Sequence, residues 1–395
     1  TYNWNDFAFL KLWWFFNNKY SNFIWSNFKF DKKEINLRMK KILISTGGSG
    51  GHVIPATILF DHYKENFETY LTTDKRGEKY IDQNKYIYNV IDVPKFSKNI
   101  FKLPLILILF LFSFFKSLIY LKKYGIEYLF STGGYMSVTL CIAAKILNIK
   151  IFLYEPNMVL GRSNKFFLKY AKKIICYSNN IRKFPEKYSS KIFLTDFLLR
   201  KSIYKSKQEN KIEIKNTFKI LVLGGSQGAK FFDEEISKLL INLAKINKIY
   251  LIQQVSNKNI KEELIKKYNE IGLENEVFEF CDEIYQKYNQ VDFAITRAGA
   301  STISELIFYN IPFIAMPFPY AKDNHQYYNA KEYYDKNLCW LINENTFDAN
   351  QLLTLISNLI INKEEYFSKK NNMKKFSYQN TWSDMDQKLV SLIAD

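Results

Sequence analysis

Residues 41–52 read KILISTGGSGGH, and residues 219–229 read KILVLGGSQGA. Each is a short apolar run, a glycine turn and the start of a stretch with helical apolar spacing. A continuous apolar run of this length fits a strand buried on both faces of a parallel sheet. A glycine turn between such a strand and a helix lets backbone N–H groups approach an anion beside the positive end of the helix. The repetition of this opening predicts an α/β chain with two similarly built lobes and a ligand in the cleft between them.

Further apolar runs carry the pattern outward. Strands are expected at 128–132, 150–154 and 173–178 in the first series, with 41–46 as its opening. The second series is expected at 218–223, 249–255, 277–281, 291–296 and 312–317, with helical stretches between. The polar stretch KSIYKSKQENKIEIKNT, 201–217, separates the two series. The division expected is therefore 39–200 and 201–375. Residues 1–38 differ from both: they hold four of the six tryptophans and no glycine or proline. Met39-Lys40-Lys41-Ile42 reads like an ordinary protein start followed by a first strand, so 1–38 is taken as a non-core extension, with an interfacial aromatic anchor as the alternative. The segment lacks the unbroken apolar core and cleavage site of a signal peptide.

Composition narrows the function classes. The chain has 395 residues, enough for two cores. Its four cysteines are far apart with no CxxC pair, which argues against zinc ribbons and disulfide scaffolds. The formal charge is +17, from 56 Lys and Arg against 39 Asp and Glu. This reads either as codon bias or as attraction to a polyanion. No zinc finger, RNP motif or basic repeat selects nucleic acid, so nucleic acid is not an expected partner and an anionic membrane surface is.

The chemistry-bearing residues cluster at strand-to-helix turns. GGSGGH lacks the Lys-Ser/Thr of a P-loop. His52 at its end is either a turn residue or a general base. In YEPNMVLGRSN, 154–164, Glu155 and Asn157 would emerge at the C-terminal edge of a sheet, where ligands bind in such folds. TRAGASTISE, 296–305, offers helix N-terminal amides for phosphate and Glu305 for a ribose diol, although an acidic residue early in a helix also suits the macrodipole alone. KDNHQYYNA, 322–330, packs Asp323, Asn324, His325 and Gln326 into one turn, fit for sugar hydroxyls or for an N-capped surface helix. Residues 101–123, FKLPLILILFLFSFFKSLIYLKK, form the most apolar segment, flanked by Lys95, Lys98, Lys102, Lys122 and Lys123. A helix lying in a membrane interface is favoured over a buried helix or a span. The three histidines lack metal-ligand spacing, and the one DxD, Asp384-Met385-Asp386, opens a helix, so no metal is expected.

In this order, GGSGGHVIPA, STGGYMS, YEPNMVLGRSNKF, LGGSQGA, TRAGASTISE and KDNHQYYNA after PFIAMPF resemble the MurG family. These are UDP-N-acetylglucosamine-dependent transferases of peptidoglycan synthesis. The resemblance implies a GT-B fold: two Rossmann-like lobes facing a cleft, with a C-terminal helix, about 376–395, crossing back to the first. It implies UDP-GlcNAc and lipid I as partners, no cofactor, and an enzyme peripheral to the cytoplasmic face of the inner membrane. Carried over by motif, Ser226 and Ala300, Ser301, Thr302, Ile303, Ser304 and Glu305 would contact the nucleotide. Cys281 would lie near the base through its backbone, and Gln326 would meet the GlcNAc hydroxyls. Ser49, Gly50, Gly51 and Asn157 would line the sugar and acceptor side, Arg200 would face the diphosphate, and His52 would be the base. TDFLLR stands where the family has a GNP-like turn before the arginine. YEPN stands for the commoner HEQN, so that histidine is not essential here. Other readings remain another GT-B transferase with a different acceptor, or a basic nucleotide-binding or nucleic-acid-binding protein without transferase activity.

Overall fold

The computed structural model describes residues 39–94, 99–207, 217–225, 230–281, 283–376 and 381–394. The expectations for 1–38, Lys95, Lys98 and Ser226 fall outside these residues. KILIS forms β1 (Lys41–Ser45), every residue after Lys41 buried. It pairs in parallel with β2 (Glu68–Thr73) on one side and with β4 (Tyr128–Ser131) on the other. The first sheet has seven strands in the order β3 (Asn89–Val90), β2, β1, β4, β5 (Lys150–Glu155), β6 (Ala171–Cys176), β7 (Ile192–Leu194). The second has six: β10 (Glu274–Phe278), β9 (Ile249–Gln254), β8 (Phe218–Leu223), β11 (Phe293–Thr296), β12 (Phe313–Ala315), β13 (Trp340–Leu341). All pairings between these strands are parallel.

Each sheet starts at its centre, winds out to one edge, then returns to build the other half. The order therefore reverses between β1 and β4, and again between β8 and β11. At such a point the connections leave in opposite directions and open a crevice beyond the C-terminal strand ends. The turns there are Gly47–Gly51 after β1, Gly133–Gly134 after β4, Gly224–Gly225 after β8 and Arg297–Gly299 after β11. The four glycine-bearing stretches thus fall at the two reversal points.

Several strands differ from expectation for physical reasons. β2 reads ETYLTT and buries threonines rather than an aliphatic run. β3, β7 and β13 have only two or three residues. β10 begins at Glu274, not 277, because this edge strand exposes its polar start. Part of the polar 201–217 stretch is a helix, Lys201–Ser206, whose Ile203 is buried in the core of the second sheet.

Five helices position the site. α1 (Gly50–Tyr63) follows β1 and buries Val53, Ala56, Leu59 and Tyr63, about one turn apart, against Ile42, Ile44 and Leu71. α2 (Leu103–Tyr124) precedes β4, and Gly125 ends it in the left-handed conformation. α3 (Ala300–Phe308) follows β11, and α4 (His325–Tyr334) follows β12. α5 (Trp382–Ala394) places Met385, Leu389, Leu392 and Ile393 in the same cluster as Ile42 and Ile44 of the first sheet. Burying each such side chain contributes about 1.5–3 kcal/mol. His62 of α1 stacks on Trp382 of α5 at 3.6 Å between ring centroids. Its Nδ1–H donates to Asp386 at 3.3 Å. The DxD letters are thus absorbed in helix docking: Asp384 accepts from the Thr381 amide and hydroxyl at the helix start, and Asp386 faces His62.

Candidate active site

The first reversal point is built around Asp74 and Thr132. Asp74, buried at the end of β2, accepts the Gly48 N–H at 2.7 Å and the Gly77 N–H at 3.0 Å through one oxygen. Its other oxygen takes Arg76 Nε at 2.9 Å. A Cβ at Gly47 would stand 2.6 Å from Asp74 Oδ1, so this turn requires glycine for space. Gly48 adds φ 84°, which favours glycine for its backbone. Beyond it, Ser49 is exposed and precedes α1; its carbonyl takes the His52 N–H at 3.0 Å, so Gly50 and Gly51 carry the first-turn N–H groups without a partner in the helix. Arg76 lies across the Tyr135 ring at 4.8 Å and brings a cation to the rim of the turn.

His52 is the third residue of α1. Its Nδ1 lies 2.7 Å from the carbonyl oxygen of Thr132. A carbonyl only accepts, so the bond fixes Nδ1 as the protonated nitrogen and leaves Nε2 as an acceptor. The Thr132 hydroxyl donates to Thr46 at 2.8 Å, steadying the segment that presents the carbonyl. The turn after β4 approaches closely: a Cβ at Gly133 would lie 3.6 Å from the ring's Cε1, and one at Gly134 3.9 Å from Nε2. A half-exposed imidazole with one fixed tautomer can take a proton from a hydroxyl in the crevice.

Glu155 at the end of β5 has both oxygens engaged. Oε1 accepts from the Asn157 backbone and side chain at 3.2 and 3.1 Å, and Oε2 from Gly161 N and Asn164 Nδ2 at 2.7 and 3.0 Å. It shapes the YEPNMVLG loop rather than facing the crevice. That loop reaches the second lobe. Asn329 of α4 donates to Asn157 at 3.1 Å and accepts the Met158 N–H at 2.9 Å.

The second reversal point is more closed. Glu305 is only 8% exposed and accepts the Tyr288 hydroxyl at 2.7 Å. Burial raises its pKa above the usual carboxyl value, opposed by the positive charge of Arg200 and the Tyr288 bond. Arg200 thus lies close enough to Glu305 for its charge to act on the carboxyl. Ala300, Ser301 and Thr302 are half-exposed, whereas Ile303 and Ser304 are buried, so those two can face a ligand only through the backbone. Arg297 of TRAG is structural: it donates to the Met316 and Pro317 carbonyls at 3.2 and 3.4 Å and pairs with Glu344 at 2.6 Å. That fixes the loop whose Phe318 N–H donates to Gln326 Oε1 at 2.9 Å, leaving the Gln326 amide N–H₂ as a donor for a ligand. Cys281 is half-exposed just beyond β10. Among the described residues no group of three or more His, Cys, Asp or Glu is arranged to hold a metal.

Residues 42–176 match the glycosyltransferase family 28 N-terminal domain and residues 219–384 the family 28 C-terminal domain. A UDP-N-acetylglucosamine–N-acetylmuramyl-(pentapeptide) pyrophosphoryl-undecaprenol N-acetylglucosamine transferase of Pelagibacter ubique is 48% identical over 354 residues, covering 90% of this chain and 99% of its own. The chain belongs to this transferase family. A Rickettsia felis protein of the same name is 37% identical, covering 82% of this chain and 92% of its own. The crystal structure of Acinetobacter baumannii MurG aligns with a TM-score of 0.71 at 23% identity, covering 90% of this chain and 99% of that one. The fold is GT-B.

Within this MurG-type architecture, sequence reasoning missed Arg76, Thr132, Tyr288 and Asn329. Asn329 lies one helical turn beyond Gln326, and that i,i+3 spacing was a usable signal. The other three come from elements whose adjacency depends on strand order, which no local pattern reveals.

Proposed function

We propose that this chain is an inverting hexosyltransferase of peptidoglycan synthesis. It moves GlcNAc from UDP-GlcNAc to the C4 hydroxyl of MurNAc in lipid I, giving lipid II and UDP. The observation that carries this reading is the match along nearly the whole chain to transferases so named. In this reading His52 Nε2 removes the C4 hydroxyl proton as the oxygen attacks C1 of GlcNAc. The new β-1,4 bond forms as the C1–O bond to UDP breaks, and the electron pair leaves on the diphosphate. Gly50 and Gly51 amides, with Ser49, receive the acceptor's own diphosphate, and Asn157 lies beside the sugar. The α3 amides and Arg200 stabilise the departing UDP, so no metal is required. Ser226 and the 300–305 segment hold the nucleotide, Cys281 lies near its base, Glu305 takes the ribose and Gln326 donates to GlcNAc. The test is transfer of labelled GlcNAc from UDP-GlcNAc to a lipid I analogue. No product under saturating donor would overturn the reading.

We also propose that α2 lies in the cytoplasmic surface of the inner membrane. The helix is long and apolar enough to cross a bilayer by length and composition. One face is tied to its own lobe: Ile106, Ser113, Ser117, Tyr120 and Leu121 are buried, Ser113 bonds to the Asp92 carbonyl and Lys116 to that of Val90. The other face exposes Leu105, Leu107, Ile108, Phe112, Phe115 and Ile119, with Lys102, Lys122 and Lys123 at its ends. A helix whose C-terminal half, from Ser113 to Leu121, is tied to its own lobe supports in-plane docking over a span. Replacing Lys102, Lys122 and Lys123 by Gln should weaken binding to anionic vesicles by about 1 kcal/mol per lysine at low salt, with little change on neutral ones. Protein that stays folded in the carbonate pellet would favour a span instead.

A further inference from the structure

A pocket of about 630 Å³ opens beside the site, lined by Val159, Arg182, Lys183, Asp323, Asn324 and Tyr328. It joins the two lobes: Val159 belongs to the loop after β5, Arg182 and Lys183 to the loop after β6, and the rest to the turn that opens α4. The β6 loop is clipped to the site loop, Arg182 N donating to the Met158 carbonyl at 2.9 Å and Leu160 N to that of Arg182 at 3.0 Å. A group in this pocket therefore touches the same loop that presents Asn157, and the same helix start that presents Gln326.

The pocket is cationic and set up for a carboxylate. Lys183 Nζ meets Asp323 Oδ1 at 2.7 Å, and Arg162 Nε meets Oδ2 at 3.4 Å. Arg182 lines the same pocket, so Arg182 and Lys183 bring two cations to it against the one acid, Asp323. The Arg182 guanidinium lies over the Tyr328 ring at 4.2 Å. Such stacking fixes the plane of the guanidinium and leaves its N–H edge for a bidentate acid. The backbone is constrained as well. Among the described residues six non-glycine residues have left-handed φ, and four are asparagine. The other two are Lys183 (φ 61°) and Asp323 (φ 54°), the two partners of this ion pair. Non-glycine residues hold this conformation where their surroundings impose it, often at ligand clamps.

We infer that this pocket receives a carboxylate of the acceptor's peptide, with Arg182 and Lys183 as its ion-pair donors and Asp323 as the resident counter-ion. The inference rests on the transferase reading above. It draws on the pentapeptide in the relatives' name, since any unmodified peptide ends in a carboxylate. Arg–carboxylate pairs are the bidentate, charge-assisted kind that orient a ligand as well as hold it. The pocket would thus make the enzyme select acceptors by their peptide while the chemistry proceeds at His52.

The full chain is assayed with UDP-GlcNAc and three lipid I analogues: one with the pentapeptide, one with its C-terminal carboxylate amidated, and one without peptide. Arg182→Gln with Lys183→Gln should lower kcat/KM for the pentapeptide analogue about tenfold or more, the scale of a hydrogen bond to a charged group. The peptide-free analogue and the KM for UDP-GlcNAc should stay unchanged. Asp323→Asn should act in the opposite direction, raising kcat/KM for the pentapeptide analogue about threefold by releasing the cations; asparagine tolerates the left-handed backbone there. If the amidated analogue is already poor and insensitive to the double variant, the bound group is the terminal carboxylate. If it behaves like the intact peptide, the group is an internal one. Equal losses on the peptide and peptide-free acceptors, no loss on either, or a raised KM for UDP-GlcNAc would each overturn the inference. Failure of wild-type protein to use any acceptor would instead strike the transferase reading itself, and this inference with it.

Discussion

The two reversal points use one device, strand, glycine turn and helix, to opposite ends. At the first, the titratable residue is third in its helix. His52 stands half-exposed, held by a single bond from Nδ1 to the Thr132 carbonyl. At the second it is sixth. Glu305 lies a turn deeper, nearly enclosed, bonded to Tyr288 and raised in pKa by burial. An open ring with one committed tautomer suits proton transfer, because its free nitrogen can meet a reacting group. An enclosed carboxylate suits binding, because burial strengthens its hydrogen bonds and keeps water from competing. In the proposed reading, position along the helix helps divide the chemistry between the lobes.

The largest expected effect tests the open side. His52→Ala should lower kcat by about 10²–10⁴ with the Kd for UDP nearly unchanged. Rapid turnover by this variant would mean the proton leaves elsewhere. Glu155 is a poor substitute, since both its oxygens already accept from the loop they shape.

The enclosed side comes next. Glu305→Ala should weaken UDP-GlcNAc binding by about 1.5–3 kcal/mol, the scale of a hydrogen bond to a charged group, and calorimetry reads it directly. Glu305→Gln keeps a partner for Tyr288 and should lose less. Equal losses in kcat from the His52 and Glu305 variants, with binding untouched in both, would erase the division between the two points.

An effect on stability rather than on turnover or binding concerns the helix that carries His52. At its other end His62 is enclosed by Trp382 and faces Asp61, Asp386 and Lys201. Burial pushes its pKa down to about 3, against the pull of Asp61 and with the aid of Lys201. The unfolded chain takes up this proton near pH 6.5 and the folded chain only near 3. Stability from this group is therefore full above pH 6.5 and is lost as pH falls toward 3, by at most about 5 kcal/mol. Melting temperature measured across that window should fall less steeply in His62→Gln than in the wild type. Parallel slopes would show that the docking of α5 does not depend on a neutral His62.

The smallest expected effect is none. Neither reversal point gathers a metal-ligating group among the described residues, and turnover should survive EDTA. Loss of activity on chelation, restored by Mg²⁺ or Mn²⁺, would break the assignment of leaving-group stabilisation to α3 and Arg200.

The local devices were legible in the residues themselves. Apolar runs ending in glycine pointed to buried strands with anion-accepting turns, since KILIS and FKILVL are short, continuous and bounded by glycine. GGSGGH, TRAGAS and KDNHQYYNA could be read as ligand turns because their chemistry lies within a few residues. Strands with a weak apolar signal, such as ETYLTT, were not legible, because their burial comes from neighbours on either side. Tertiary structure alone decided which turns meet. Strand order brought the turn after β4 against His52, fixed its tautomer through Thr132, and set Tyr288 and Arg200 about Glu305. It also joined Lys183 to Asp323, 140 residues apart. The physical reason is range. Turn geometry follows from the residues in the turn, whereas the tautomer of a histidine or the ionisation of a buried carboxyl follows from groups within a few ångströms. In a doubly wound sheet those groups come from elements far away in the chain.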